Sequence, residues 1–179
     1  MIKKKTILGI CGSASQNSTN LSILKWVGKQ FESDFNFEVI ASLTELPNFK
    51  TELTDKNTPQ KIINLRKTIE EADGIIISTP EYVFSVPSCL KNMIEWCVST
   101  TVFSNKRVSI ITASSSGEKG HEELKLILET IQANLSEETT LLIQGLKGKV
   151  DKNGEIIDTT TKAELLKLTK SFKTLISEL

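Results

Sequence analysis

Short apolar runs alternate with stretches whose apolar residues recur at helical spacing, and this alternation constrains the fold more than any other feature. Four runs are strong: Thr6–Cys11, Gly74–Thr79, Val108–Ala113 and Thr139–Ile143. Each is nearly continuous in apolar residues, as expected of parallel strands buried on both faces. Asn36–Ile40 is a weaker fifth strand, carried by Phe37 and Val39. Between the strands lie helical stripes. The first is Leu21, Leu24, Val27 and Phe31; the second is Ile62, Leu65, Ile69 and Ala72. Val86, Leu90, Met93, Ile94 and Cys97 form a third, and Leu124, Ile127, Leu128, Ile131 and Leu135 a fourth. The last is Leu165, Leu168, Phe172, Leu175, Ile176 and Leu179. Such a pattern predicts an α/β fold, a parallel sheet with helices on both faces. At 179 residues, one domain spanning 1–179 is expected.

Local signals set the expected boundaries. Thr58-Pro59 reads as an N-cap followed by proline at the first helical position. Ser85 is placed to cap the third helix, with Pro87 in its first turn. Thr161-x-x-Glu164 has the spacing of a capping box for the last helix. Leu43–Asn57 has no clear period and is expected to be loop, as is Gly145–Asp158, with a small hairpin at Asn153-Gly154.

Charge narrows the partners. Twenty-two basic residues balance 22 acidic ones, without a block of either sign, which argues against nucleic acid and against an anionic membrane. The apolar run after the three N-terminal lysines is too short for a signal peptide or a membrane span, so a cytoplasmic location is expected. Cys11, Cys89 and Cys97 lack C-x-x-C spacing and are expected to be reduced, mostly buried thiols.

Three polar turns follow three strong strands: Gly12–Asn20, Pro80–Ser85 and Ser114–Gly120. In open parallel sheets, ligands bind beyond the carboxyl ends of the strands, where strand order reverses. All three turns are expected to meet there. The first turn is rich in hydroxyls and leads into a helix, whose free N–H groups and dipole favour an anion. It reads as a phosphate cradle. It is not a P-loop, because G-x-x-x-x-G-K-[ST] is missing, and the dinucleotide fingerprint G-x-G-x-x-G is missing too. A phosphatase loop would need an arginine six positions beyond Cys11, where Asn17 stands, so Cys11 is read as a buried strand residue.

The turn Gly12-Ser13-x-x-x-x-Ser18-x-Asn20, paired with Pro80-Glu81-Tyr82, Leu90-Lys91-Asn92 and Trp96, resembles the NADPH-dependent FMN reductase family. The resemblance runs along essentially the whole chain. It implies a flavodoxin-like three-layer sandwich with sheet order 2-1-3-4-5, FMN as cofactor and NAD(P)H as co-substrate. It also implies a homodimer or homotetramer, with electrons passed to a small-molecule acceptor such as a flavin, a quinone, an azo compound or a metal oxyanion. Carried over by position, Ser13, Ser15, Ser18, Thr19 and Asn20 would hold the FMN phosphate. Pro80, Glu81, Tyr82, Val83 and Phe84 would line the isoalloxazine, with Phe84 shaping the cleft over it. Ser114, Ser115, Ser116 and Gly117 would flank the ring. No catalytic acid or base is implied, because the cofactor carries the chemistry. The chain departs from the family pattern twice. Ala14-Ser15 stands where the family's turn carries an arginine, and Val83-Phe84 stands where Asn-Gly is common.

Several residues have plainer expected roles. Glu81 is read as structural, bonding backbone in its turn, and Lys91 and Asn92 as fold or interface residues. His121 is expected at the solvated surface, and Trp96 and Met93 at a subunit contact. Two other functions stay open at this level. One is a flavodoxin-type electron carrier, against which the neutral charge counts. The other is a cofactor-free interaction module, which the missing arginine favours.

Overall fold

The computed structural model describes residues 4–151 and 153–178. Five parallel strands form one sheet: β1 (Thr6–Cys11), β2 (Asn36–Ile40), β3 (Gly74–Thr79), β4 (Arg107–Ala113) and β5 (Thr140–Ile143), in the order β2-β1-β3-β4-β5. Five helices connect them: α1 (Thr19–Lys29), α2 (Gln60–Glu71), α3 (Ser88–Glu95), α4 (Glu118–Thr130) and α5 (Thr159–Ser177). After β2 the chain crosses back over β1 to form β3, which pairs Ile7 with Gly74 and Cys11 with Ser78. The reversal of strand order therefore lies between β1 and β3, and the connections after those strands diverge there.

Alternation along the strands sorts the core into two layers. Leu8, Ile10, Ile75, Ile77, Val108 and Ile110 pack with α2, α3 and α4. Ile7, Cys11, Ile76, Ile111 and Ala113 face α1 and α5. The sheet edge formed by β2 is only partly covered, but Phe37 stacks on Phe31 at 5.8 Å between centroids. Among the described residues, no helix is long and apolar enough to cross a membrane.

Several boundaries fall elsewhere than expected. Pro59 and Pro87 are themselves the N-caps of α2 and α3, because ψ near 141° keeps each outside its helix. The Thr58 hydroxyl donates back to the Leu53 and Thr54 carbonyls, and the Ser85 hydroxyl donates to Glu123 at 2.7 Å, so neither caps a helix. The cap of α5 is Asp158, whose carboxylate accepts from Thr161 N–H at 2.8 Å, in place of a Thr161–Glu164 box. Phe31 and Leu135 lie beyond the helices whose stripes they extend, and Leu179 lies outside the described residues. The turn at Asn153-Gly154 does form a small hairpin, with Val150 bridging Ile156.

Trp96 is fully buried and is not a contact residue. Its Nε1–H donates to the Pro47 carbonyl at 2.8 Å, and Phe49 meets its ring edge-on. Met93 is buried as well. Asn92 completes the same anchor. Its Oδ1 accepts from Phe49 N–H and its Nδ2 donates to Pro47 O. The long connection between β2 and α2 is thereby fastened against α3, an arrangement with no local sequence signal.

Candidate functional site

The first wall of the site begins where β1 ends. Gly12 N–H continues the ladder to Ser78 O at 2.8 Å. A Cβ at Gly12 would lie 2.6 Å from Thr79 Oγ1 and 2.9 Å from Leu90, so only glycine lets the turn leave the sheet this close to β3. Ser18 is the N-cap of α1 but makes no side-chain cap bond. Leu21 and Ser22 donate to the Ser18 carbonyl, while the N–H groups of Thr19 and Asn20 have no acceptor among the described residues. The amide of Asn20 is committed: Nδ2 donates to Ala113 O at 3.0 Å and Oδ1 accepts from Ser78 at 3.1 Å. That side chain ties α1 to β3 and β4.

The second wall follows β3. The Tyr82 hydroxyl lies 3.3 Å from Ser13 Oγ and links the first two loops. Tyr82 and Ser85 exchange both backbone hydrogen bonds around Val83 (φ 51°) and Phe84 (φ 60°), a two-residue turn of the left-handed kind that Asn-Gly usually fills. The tip projects outward: Val83 is 94% and Phe84 72% exposed. Glu81 turns the other way. Its Oε1 accepts from Gly117 N–H at 3.2 Å and its Oε2 from Gly120 N–H at 2.8 Å, which docks the start of α4 on the second loop.

The third loop leaves β4 at Ser114, whose N–H donates to Ile143 O on β5. A fourth segment, expected as a loop but not as part of the site, is held to it. Gly145 N–H donates to Ser115 O at 3.0 Å and Leu146 N–H to Ser114 O at 3.2 Å. Gly145 (φ 59°) and Gly148 (φ 88°) allow this segment to turn sharply. Its far end packs on α1, where a Cβ on Gly154 would meet Ser22 Oγ at 2.7 Å and Lys29 pairs with Glu155 at 3.8 Å.

These loops line an open cleft of about 530 Å³ at the carboxyl edge of the sheet, within the usual range for small-molecule and cofactor sites. The first loop lines it with Ser13, Ser15, Asn17, Ser18, Thr19 and Asn20. Pro80, Glu81 and Tyr82 contribute from the second loop, and Ala113, Ser114 and Ser115 from the end of β4 and the third loop. Leu146, Lys147, Gly148 and Val150 close it from the fourth segment. Val83, Phe84, Ser116 and Gly117 are not among the lining residues. Phe84 stands at the exposed tip rather than over the cavity, and Gly117 N–H is spent on Glu81. The fourth segment could have been found from sequence by applying the carboxyl-edge rule to β5, as it was applied to the other strong strands.

His121 is half-buried, not solvated, with Nδ1 2.8 Å from Thr112 Oγ1. Burial, reinforced by the Lys125 ammonium, holds its pKa below the usual imidazole value. The cysteines are free thiols; burial raises the pKa of Cys89 and pushes that of Cys97 up to about 12.

Comparison with known proteins agrees with this geometry. The sequence model of the family described as NADPH-dependent FMN reductase matches residues 6–145. The chain is 30% identical over 171 residues to the NADH:(hydroxy)cinnamate reductase subunit CrdA of Vibrio ruber, covering 92% of this chain and 84% of that one. It is 27% identical over 168 residues to a quinone reductase of Escherichia coli K12, covering 90% and 89%. Among solved structures, the flavoenzyme NAD(P)H:(acceptor) oxidoreductase FerB of Paracoccus denitrificans superposes with a TM-score of 0.85 at 23% identity, covering 97% and 98%. An FMN-dependent NADH-azoreductase of Bacillus anthracis in complex with FMN superposes at 0.63 with 15% identity, covering 97% and 98%. The fold they share with this chain is flavodoxin-like.

Proposed function

The chain belongs to the NADPH-dependent FMN reductase family, and from that premise we propose that its cavity binds FMN and that the protein passes electrons from NAD(P)H to a small-molecule acceptor. The observation that carries this reading is the meeting of hydroxyl-rich loops at the carboxyl edge, beside a helix mouth whose first N–H groups have no acceptor among the described residues. Those residues fit a flavin mononucleotide. Free N–H groups of Thr19 and Asn20, with the hydroxyls of Ser13, Ser15, Ser18 and Thr19, suit a phosphate. The loop at Pro80–Tyr82, with Ser114 and Ser115, offers backbone and hydroxyl groups to a planar ring.

When bound, FMN would supply hydride acceptance from the nicotinamide and onward electron delivery. The protein's own task is to bind and orient. The Asn20 amide keeps the mouth of α1 fixed to β3 and β4, Tyr82 joins the first two loops, and Glu81 holds the third in place. The acceptor we propose belongs to the class of quinones, flavins, azo compounds or metal oxyanions, and the names of the relatives and structural neighbours support the first three. The proposal extends to a cytoplasmic homodimer or homotetramer of single-domain chains. The adjacent exposed apolar side chains of Val83 and Phe84 are the feature that supports self-association.

The test is a titration of the purified protein with FMN, followed by anaerobic addition of NAD(P)H. Saturable quenching of flavin fluorescence and rapid bleaching of flavin absorbance are expected. Absence of binding overturns the reading. Binding without bleaching by either nucleotide would leave an electron carrier instead of a reductase.

A further inference from the structure

Charge in the cavity is unevenly supplied. The first loop, Gly12 to Asn20, holds no basic residue. A helix end provides roughly half an elementary charge, whereas a phosphate monoester carries about 1.5 to 2 negative charges at neutral pH. A phosphate at the mouth of α1 is thus left short of roughly one positive charge or more. Among the lining residues the acidic side chain is Glu81 and the basic one is Lys147. Both oxygens of Glu81 are engaged by Gly117 and Gly120 N–H groups. Lys147 forms no ion pair among the described residues and lies on the segment that runs from the third loop to α1.

Resting on the FMN reading above, we propose that Lys147 is the cationic partner of the ligand's phosphate, supplied from beyond β5 instead of from the first loop. The turn is built to present it. Lys149 N–H closes on Leu146 O at 3.1 Å, with Lys147 and left-handed Gly148 between them. A lysine is suited to this task as a point charge on a flexible stem, which reaches a phosphate without a fixed fork geometry.

The experiment compares FMN with riboflavin, which lacks the phosphate, on the wild type and on Lys147→Ala, Lys147→Arg and Lys147→Glu, without nicotinamide nucleotide. Lys147→Ala is expected to weaken FMN about tenfold at low salt and to leave riboflavin within twofold. Lys147→Arg should stay within about threefold of the wild type, and Lys147→Glu should be weaker than Lys147→Ala. Raising the salt should reduce the wild-type preference for FMN. Lys147 is exposed, so melting temperatures of the unliganded variants should match the wild type. An FMN dissociation constant unchanged in Lys147→Ala overturns the proposal, and in a separate turnover assay a raised KM for NADPH beside that unchanged constant would assign the lysine to the nucleotide. Equal losses of FMN and riboflavin also overturn it. A wild type that binds no FMN removes the cofactor reading itself, an outcome distinct from failure of the lysine alone.

Discussion

Val83 and Phe84 occupy left-handed backbone that neither side chain favours, and for a β-branched residue the position is an outlier. Left-handed residues other than glycine cost about 1–2 kcal/mol each. The paired bonds between Tyr82 and Ser85 hold the turn against that cost. Together the two residues cost about 2–4 kcal/mol, of which asparagine would keep a part and glycine would offset about 0.5–1 kcal/mol through its greater chain entropy. The double variant Val83→Asn/Phe84→Gly is therefore expected to be more stable by about 1–2 kcal/mol, which corresponds to a melting temperature raised by roughly 2–8 °C. Calorimetry checks it; a fall in melting temperature would mean that the tip makes contacts worth more than its strain. The sequence showed that Asn-Gly was missing at this turn. It could not show that the turn would keep its shape without them, because the restraint lies in flanking backbone. Asn20 illustrates the converse. As a residue type it reads as a ligand donor, yet its amide is consumed by Ala113 and Ser78, partners remote in the chain.

At the scale of elements, apolar runs and stripes were legible because they depend on local periodicity. The cap of α2 was misread by one residue and that of α3 by two, because proline fixes φ but leaves ψ to decide whether it is inside the helix. The segment after β5 was read as a loop but not as a wall of the cavity. Its place depends on β5 lying beside β4 and on Gly154 reaching α1, both non-local facts. Asn20 couples α1 to two strands, so Asn20→Ala should lower stability as well as binding. It leaves a buried carbonyl and a buried hydroxyl without partners, at about 1–3 kcal/mol each. Ser15→Ala, by contrast, should weaken FMN without moving the melting temperature. Equal melting temperatures for Asn20→Ala and the wild type would show that the tie is not needed to hold the helix.

For the molecule as a whole, stability should depend on acidity through His121. Its folded pKa is lowered by burial and by Lys125, while in the unfolded chain it sits near 6.5. Below that value the unfolded chain takes up a proton that the folded chain resists. Stability is then lost as pH falls through about 6.5 towards the lower folded value. Between pH 7.5 and 5.5 the wild type is expected to lose more stability than His121→Gln, measured by denaturant titration; parallel losses would remove His121 as the cause. At this scale the fold was the most legible feature, since sheet order and the two-sided helix layers follow from alternation and the resemblance together. The match to the family ends at residue 145, whereas the cavity draws Leu146, Lys147, Gly148 and Val150 from just past it. A change confined to residues 146–150 would therefore reshape one wall of the cavity and leave the three preceding loops as they are.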